Sequence, residues 1–433
     1  DPSPSAKEPW TEVGSLQPYL GMWQILEKIR CIHPHLLELF SADIADYLAS
    51  DACPPQPPSP WQPLPLPIGD TAVHPFVRHM NAPQRAALEG LVSPVCIIKG
   101  PPGTGKSTAI AGIASSCTAS GTRLLLCAPS NKALEAIICK LVKWDVPDIL
   151  VVGSRRNLGP TSRSRLLPAA TASSGVIRAA MHGVLTLGAA RAELAALPSS
   201  AAVTAALADL DDRIIAARSE VARLVPLVAD ALVARVRILA CTTTSALHAI
   251  HRLAGDASSI SAHGAAATCA SLSFEAVVQD EAGNVVELVG LGPLLHGATG
   301  VVFVGDEAQL PPHSETGQRS FIDRYATLRA TYGTAIDDWF SYCMLSIQYR
   351  MPPALGSIVS AHFYEGALGN GTTADHPHPV VIVSTTGTED TQGSHLFHNS
   401  AEAQAVVSAV RALTGAGVAL HRIVVITFYS AQH

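Results

Sequence analysis

Apolar residues recur along the chain in two rhythms, and their alternation predicts its architecture. Leu20, Trp23, Leu26 and Ile29, then Leu36, Leu37, Leu39 and Phe40, fall at helical spacing and predict a small helical lead-in over residues 1–53. Between Pro54 and Pro67 eight of fourteen residues are proline. A backbone so short of donors favours an extended, semi-rigid linker over residues 54–70; a docking site for a proline-reading domain is the sharper alternative. Bounded apolar runs follow at Val95–Lys99, Arg123–Ala128, Val236–Cys241, Ala276–Gln279 and Val301–Gly305. Separated as they are by helical stretches, they predict an α/β fold with a parallel sheet covered on both faces. A later pair, Val380–Ser384 and Ile423–Thr427, predicts the start of a second sheet.

An alanine-rich insertion over about residues 172–235 separates the second run from the third. Its Leu207, Leu210, Ile214, Ala217, Val221, Leu224 and Val228 alternate three- and four-residue steps, the seam of an antiparallel helical hairpin. Pro226 is expected to kink it. The hairpin can pack on its own domain or lean as a stalk over a nucleic-acid groove, and the pattern leaves both open.

Composition narrows the setting. A chain of 433 residues, 48% of them hydrophobic, can bury more than one core. No uncharged apolar run of eighteen residues occurs, so no membrane span is expected, and the polar, proline-rich start resembles no signal peptide. The opening on Asp1 rather than Met points to a processed or trimmed start. Nine scattered cysteines, Cys31, Cys53, Cys96, Cys117, Cys127, Cys139, Cys241, Cys269 and Cys343, form no C-x-x-C pair. They read as reduced core thiols of an intracellular protein, cytoplasmic or nuclear, and not as a metal site. The net charge of −6 excludes a basic coat that grips nucleic acid indiscriminately, so any such site is a local groove.

The strongest chemical signal is Gly100-Pro101-Pro102-Gly103-Thr104-Gly105-Lys106-Ser107, placed after an apolar run and before a helical stretch beginning at Thr108. In that context the string is a P-loop: glycines let backbone N–H groups approach phosphates, and a helix N-terminus faces their charge. Lys106 is suited to reach the β- and γ-phosphates of a nucleoside triphosphate, and Ser107 to hold Mg2+. Such a loop needs an acidic partner at another strand end. Asp280 and Glu281 follow the run Phe274–Gln279, Asp280 placed to hold Mg2+ and Glu281 to polarise the attacking water. At the end of the next run, Gly305-Asp306-Glu307-Ala308-Gln309 offers a Gln that can read the γ-phosphate by hydrogen bonding.

Six strings occur in one order: Met80-Asn81-Ala82-Pro83-Gln84, Cys127-Ala128-Pro129-Ser130-Asn131, Asp280-Glu281, Gly305-Asp306-x-x-Gln309-Leu310-x-Pro312, Gln348-Tyr349-Arg350-Met351 and Phe363-Tyr364-Glu365-Gly366. With the P-loop they resemble the superfamily 1B helicases of the up-frameshift and senataxin type, over roughly residues 71 to 433. The resemblance implies a RecA-like domain over 71–335 and part of a second RecA-like domain over 336–433. It implies ATP and Mg2+ as cofactors, and residues 100–108 as nucleotide contacts. By the same likeness Gln84 reads adenine, Tyr349 packs on the base and Arg350 reaches the γ-phosphate, tasks that suit an amide, a phenol ring and a planar guanidinium. Pro129, Ser130 and Asn131, with Thr242, Thr243 and Thr244, match the family's nucleic-acid-contacting motifs. Hydroxyls and amides there position a phosphate chain without reading sequence, although the same residue types also serve as helix caps.

The resemblance further implies a monomer that travels 5′→3′ on single-stranded nucleic acid, RNA before DNA. Three departures stand against it. Asn284 and Leu288 replace the family's Gln and Pro, with Glu287 as expected. The first 80 residues are too few and too helical for the usual β-barrel. The chain ends at His433, one residue past the Tyr429-x-x-Gln432 turn, so the expectation is a fragment or incomplete gene product lacking the second arginine. The leading reading is thus an ATP-dependent helicase or translocase. A catalytically weak nucleic-acid-binding scaffold and a P-loop ATPase acting on protein partners remain the alternatives.

Overall fold

The structure, a computed structural model, describes residues 78, 80–93, 95–246, 274–296, 298, 300–313, 319–333, 340–372, 380–387, 390–391 and 397–427. The helical lead-in and the proline-rich linker lie outside them. Seven parallel strands form one sheet: β1 (Val95–Lys99), β2 (Leu124–Ala128), β3 (Ile149–Val152), β4 (Ile238–Thr242), β5 (Ala276–Gln279), β6 (Gly300–Gly305) and β7 (Phe340–Met344). Their order is β3-β4-β2-β5-β6-β1-β7, so every loop that leaves a strand end emerges at one carboxyl edge.

The strands are apolar throughout because both faces are covered. Cys96 and Ile98 of β1 join one core with Leu124, Leu126, Val278 and Val302, while Val95 and Ile97 join the other with Leu125, Leu239, Val277 and Phe303. Helix α1 (Ala82–Glu89), α2 (Lys106–Ser120) and α3 (Asn131–Lys143) pack on the first face through Leu88, Ile110, Ile113, Leu134 and Ile137. Each such fully buried branched side chain contributes about 1.5–3 kcal/mol.

The insertion is the expected hairpin, built from α4 (Gly175–Ala195) and α5 (Ala201–Arg235). All seven seam positions are withdrawn from solvent, Ile214 buried and the other six half-buried, and Arg191 on α4 pairs with Asp211 on α5. Helix α5 continues unbroken through Pro226. Val233 near its end joins the second core. The outward faces leave Leu185, Ile215 and Leu227 exposed.

Two strands of this sheet escaped the sequence pattern, and both are edges. β3 is four residues long, and β7 mixes polar and apolar residues because most of it is half-buried. An edge strand has one neighbour and weaker burial, hence a weaker apolar signal. β7 pairs with β1 in parallel, so the first sheet extends past the expected boundary at 335/336. Helix α6 (Phe321–Tyr332) packs Phe321 and Tyr325 on the second face, and α7 (Pro353–Phe363) follows β7.

The chain divides into two compact units between Thr373 and Ala374. In the second, α8 (Ser400–Gly415) is capped by Asn399, whose side chain accepts from the N–H groups of Ala401 and Glu402. Asp390–Thr391 and Phe397–His398 form a short antiparallel pair. Val380–Ser384 and Ile423–Thr427, expected as strands, do not form strands; Ile382 is 89% and Ile426 85% exposed. A strand needs a ladder partner and a covered face, and α8 buries no residue of its own.

Candidate active site

The loop after β1 folds as it does because of two glycines. Gly103 (φ +78°) and Gly105 (φ +84°) occupy the left-handed region, and a Cβ on either would lie 2.5 Å from Arg350 Cβ or Gln84 Nε2 respectively. Thr104 is buried, its hydroxyl donating to the Pro101 carbonyl at 2.7 Å. Helix α2 starts at Lys106, so its first N–H groups have no partner within the helix and face the loop. Pro101, Pro102, Gly103, Gly105, Lys106 and Ser107 line a cavity of about 370 Å3 together with Asp280, Glu281, Gln309, Tyr349 and Arg350. The expected catalytic side chains Lys106, Asp280, Glu281, Gln309 and Arg350 therefore converge on one cavity from separate segments of chain.

The acidic pair occupies the end of β5. Asp280 is fixed by its own N–H, which donates to the Cys127 carbonyl at 2.9 Å. Its carboxyl is pushed up to about 7, by burial first and then by the charge of Glu281, with Lys106 opposing. Its Oδ1 is buried with no hydrogen-bond partner among the described residues. A buried, unsatisfied carboxylate oxygen sharing a cavity with the Ser107 hydroxyl fits Mg2+, which takes few protein oxygens and completes its shell with phosphate and water. Glu281 sits at φ +48°, a strain of order 1 kcal/mol held by the surrounding structure. Lys106 Nζ lies 3.2 Å from Glu281 Oε1 and donates to the Gly100 carbonyl at 3.1 Å.

Asp306 organises the neighbouring loop. It is buried; its Oδ1 accepts from the Ala308 N–H at 3.1 Å, and its Oδ2 accepts from Gln309 Nε2 and the Tyr364 hydroxyl, both at 2.7 Å. Gln309 Nε2 also lies 3.5 Å from the Gly100 carbonyl, the acceptor that Lys106 uses. Lys99 pairs with Glu307 and stands 5.4 Å from the Tyr364 ring centroid. The Asp280 and Asp306 loops touch backbone to backbone: a Cβ on Gly283 would lie 2.9 Å from the Asp306 carbonyl, and one on Gly305 2.7 Å from the Gly283 nitrogen.

Gln348, fully buried, shapes the next segment. Its Oε1 accepts from the Arg350 and Met351 N–H groups, and its Nε2 donates to the Met351 carbonyl and to Asn370. The Tyr349 N–H donates to the Gly103 carbonyl at 2.9 Å, which straps this segment to the P-loop. The Tyr349 hydroxyl accepts from Asn81 Nδ2 at 3.1 Å. Gln84 lies behind the loop and not in the cavity wall: it closes a capping box with Asn81 and donates to the Thr104 carbonyl at 3.0 Å. The Thr108 hydroxyl receives Lys140 Nζ at 2.6 Å.

The expected nucleic-acid residues occupy adjacent strand ends, since Ala128 of β2 and Thr242 of β4 are register partners. Ser130 caps α3, accepting from the Ala133 N–H at 3.2 Å, and remains exposed; Pro129 and Asn131 beside it are half-buried. Thr244 is exposed, whereas Thr243 is buried, its hydroxyl without a partner among the described residues. Glu287 pairs with Arg324 of α6. Sequence reasoning assigned no role to Asn81, Asp306, Gln348 or Tyr364, although all four lie inside the motif strings. Their polarity beside glycine or aromatic neighbours was the available signal.

Two family models, each described as an AAA domain, match residues 79–178 with 198–314 and residues 328–433. The chain is 28% identical over 381 residues to "Regulator of nonsense transcripts 1 homolog" of Neurospora crassa, covering 83% of this chain and 31% of that protein. It is 26% identical over 380 residues to "ATP-dependent helicase upf1" of Schizosaccharomyces pombe, covering 83% and 37%. To "Helicase sen1" of the same yeast it is 25% identical over 323 residues, covering 64% and 19%. The chain spans about a third of the length of the first two of these relatives.

Proposed function

This chain belongs to the superfamily 1 helicases of the up-frameshift and senataxin type, with a RecA-like P-loop fold, and on that premise we propose that it hydrolyses ATP and moves on single-stranded nucleic acid. The observation that carries the proposal is the cavity where Lys106, Asp280, Glu281, Gln309 and Arg350 meet beside the P-loop.

Each residue has a step that its position supports. In the resting arrangement Glu281 neutralises Lys106; when triphosphate enters, Lys106 turns to the β- and γ-phosphoryl oxygens and leaves Glu281 free to accept a proton from water. That water's oxygen bonds to the γ-phosphorus as the bond to the β,γ-bridging oxygen breaks, giving ADP and phosphate. Ser107 and Asp280 would hold Mg2+, which would supply charge neutralisation for the phosphoryl oxygens. Arg350 and Gln309 stabilise the charge spread over the transferring group. Tyr349, 47% exposed at the cavity rim, offers its ring to the base. Gln84 positions the loop from behind and reads adenine only after exchanging its present partners.

Residues from 374 onward contribute to a second RecA-like lobe, a reading supported by the AAA-domain match over 328–433. Pro129 to Asn131 and Thr242 to Thr244 hold the phosphate chain, with RNA favoured over DNA. The protein acts as a monomer in the cytoplasm or nucleus; among the described residues no helix is long and apolar enough to cross a membrane.

The test is phosphate release from ATP by this chain with and without single-stranded RNA, with Lys106→Ala beside it. Turnover stimulated by RNA and abolished in the variant is expected. Lys106-independent turnover, or indifference to both RNA and single-stranded DNA, overturns the proposal.

A further inference from the structure

Between Asp148 and Glu193 the chain carries six arginines and not one carboxylate, in a protein whose net charge is −6. Four of the six, Arg155, Arg156, Arg163 and Arg165, belong to the loop that leaves the carboxyl end of β3. Arg155, Arg156 and Arg163 are exposed and Arg165 is half-buried. Among the described residues none of the four forms an ion pair. Surface arginines normally sit among interspersed carboxylates; here the run supplies none, and the single Glu135 carboxylate tied into it from α3 leaves an excess of positive charge.

The loop is built and not loose. The N–H groups of Thr161 and Ser162 donate to the Glu135 carboxylate at 2.9 and 3.0 Å, which ties the loop to α3. Arg163 Nε donates to the Arg155 carbonyl at 3.0 Å, and the Val151 N–H donates to the Arg165 carbonyl at 2.8 Å. Its position follows from register. Val152 ends β3 opposite Cys241, and Cys241 lies opposite Cys127, so three neighbouring strand ends present the arginine loop, Thr242 to Thr244, and Pro129 to Asn131 in a row.

We propose that the loop of Arg155, Arg156, Arg163 and Arg165 is a third phosphate-binding element, which carries the single strand past Thr244 to the β3 edge of the sheet. This rests on the nucleic-acid reading proposed above. Guanidinium forks fit phosphate oxygens and read no base, so the element adds affinity and salt dependence without sequence preference.

The test compares the unsubstituted chain with Arg155→Ala/Arg156→Ala and Arg155→Lys/Arg156→Lys, measuring fluorescence anisotropy of a labelled oligouridylate over a salt series. The alanine pair is expected to weaken binding on the order of tenfold and to flatten the log–log salt slope by about 0.7 for each phosphate no longer neutralised, at unchanged melting temperature. The lysine pair, which keeps the charge, is expected to retain most of the slope. An alanine pair that binds with unchanged affinity and slope overturns the inference, whether or not these arginines bind an acidic protein instead. Equal losses in both pairs overturn it too, by pointing to a structural role. Failure of the unsubstituted chain to bind either RNA or single-stranded DNA defeats the nucleic-acid reading as a whole, and is told apart because the substitutions are then never reached.

Discussion

The carboxyl edge of the sheet has two halves that are built in opposite ways. At β1, β5 and β6 the loops are cramped: left-handed glycines, a strained Glu281 and a carboxyl of Asp280 driven to about 7, with Asp306 buried under three hydrogen bonds. At β3, β4 and β2 they are open, with Ser130, Thr244, Arg155 and Arg156 exposed. Both halves suit phosphate. Holding one reacting phosphoryl group calls for groups fixed before it arrives, whereas holding a chain that must slide calls for charges that grip without fixing register. Under the proposed function, rigidity and exposure divide along one edge according to whether the phosphate reacts or passes.

Substitutions can break or sharpen this contrast. The largest effect is expected from Lys106→Ala, with turnover lowered by roughly three orders of magnitude or more while RNA binding without nucleotide, read by anisotropy, stays within about twofold. Asp280→Asn is next, through stability. With a folded pKa of about 7 against 3.8, the folded state retains a proton that the unfolded chain releases, so the unliganded protein loses stability as pH rises from 3.8 through 7. Asn removes that penalty: denaturant unfolding should show a gain of up to about 4 kcal/mol at about pH 8, vanishing below about pH 4, with turnover abolished at every pH. No gain on the alkaline side would mean that Asp280 is charged at no cost.

Smaller effects test the supporting contacts. Tyr364→Phe removes one of the two donors to Asp306 Oδ2 and so loosens the carboxylate on which Gln309 is held; kcat is expected to fall about tenfold, roughly one hydrogen bond's worth, with nucleotide affinity unchanged. A KM change at constant kcat would assign Tyr364 to binding instead. Ser130→Ala is expected to cost about 1 kcal/mol of stability through removal of the helix cap. If RNA affinity falls as well, at temperatures where the variant stays folded, Ser130 is both cap and contact.

The sequence showed most plainly those features that depend on local chemistry. The P-loop was legible because glycine spacing, Lys106 and a flanking apolar run must lie adjacent in the chain, and the hairpin because seven seam residues keep one phase. β3 and β7 were not, since edge strands need less apolar surface. The Asp306 network was hidden for another reason: Tyr364 is 58 residues away from the carboxylate it serves, and no periodicity encodes such a distance. Gln84 carries both lessons, recognisable as a motif yet turned toward Asn81 and Thr104 by a capping box that its own spacing from Asn81 announces.

The glycine seam between the Asp280 and Asp306 loops has a mechanical consequence. Where side chains mediate a contact, rotamers act as springs and absorb small displacements. Gly283 and Gly305 bring main chain against main chain, and such a joint has little compliance. A shift of a few tenths of an ångström at the acidic pair is therefore delivered undamped to the loop carrying Gln309.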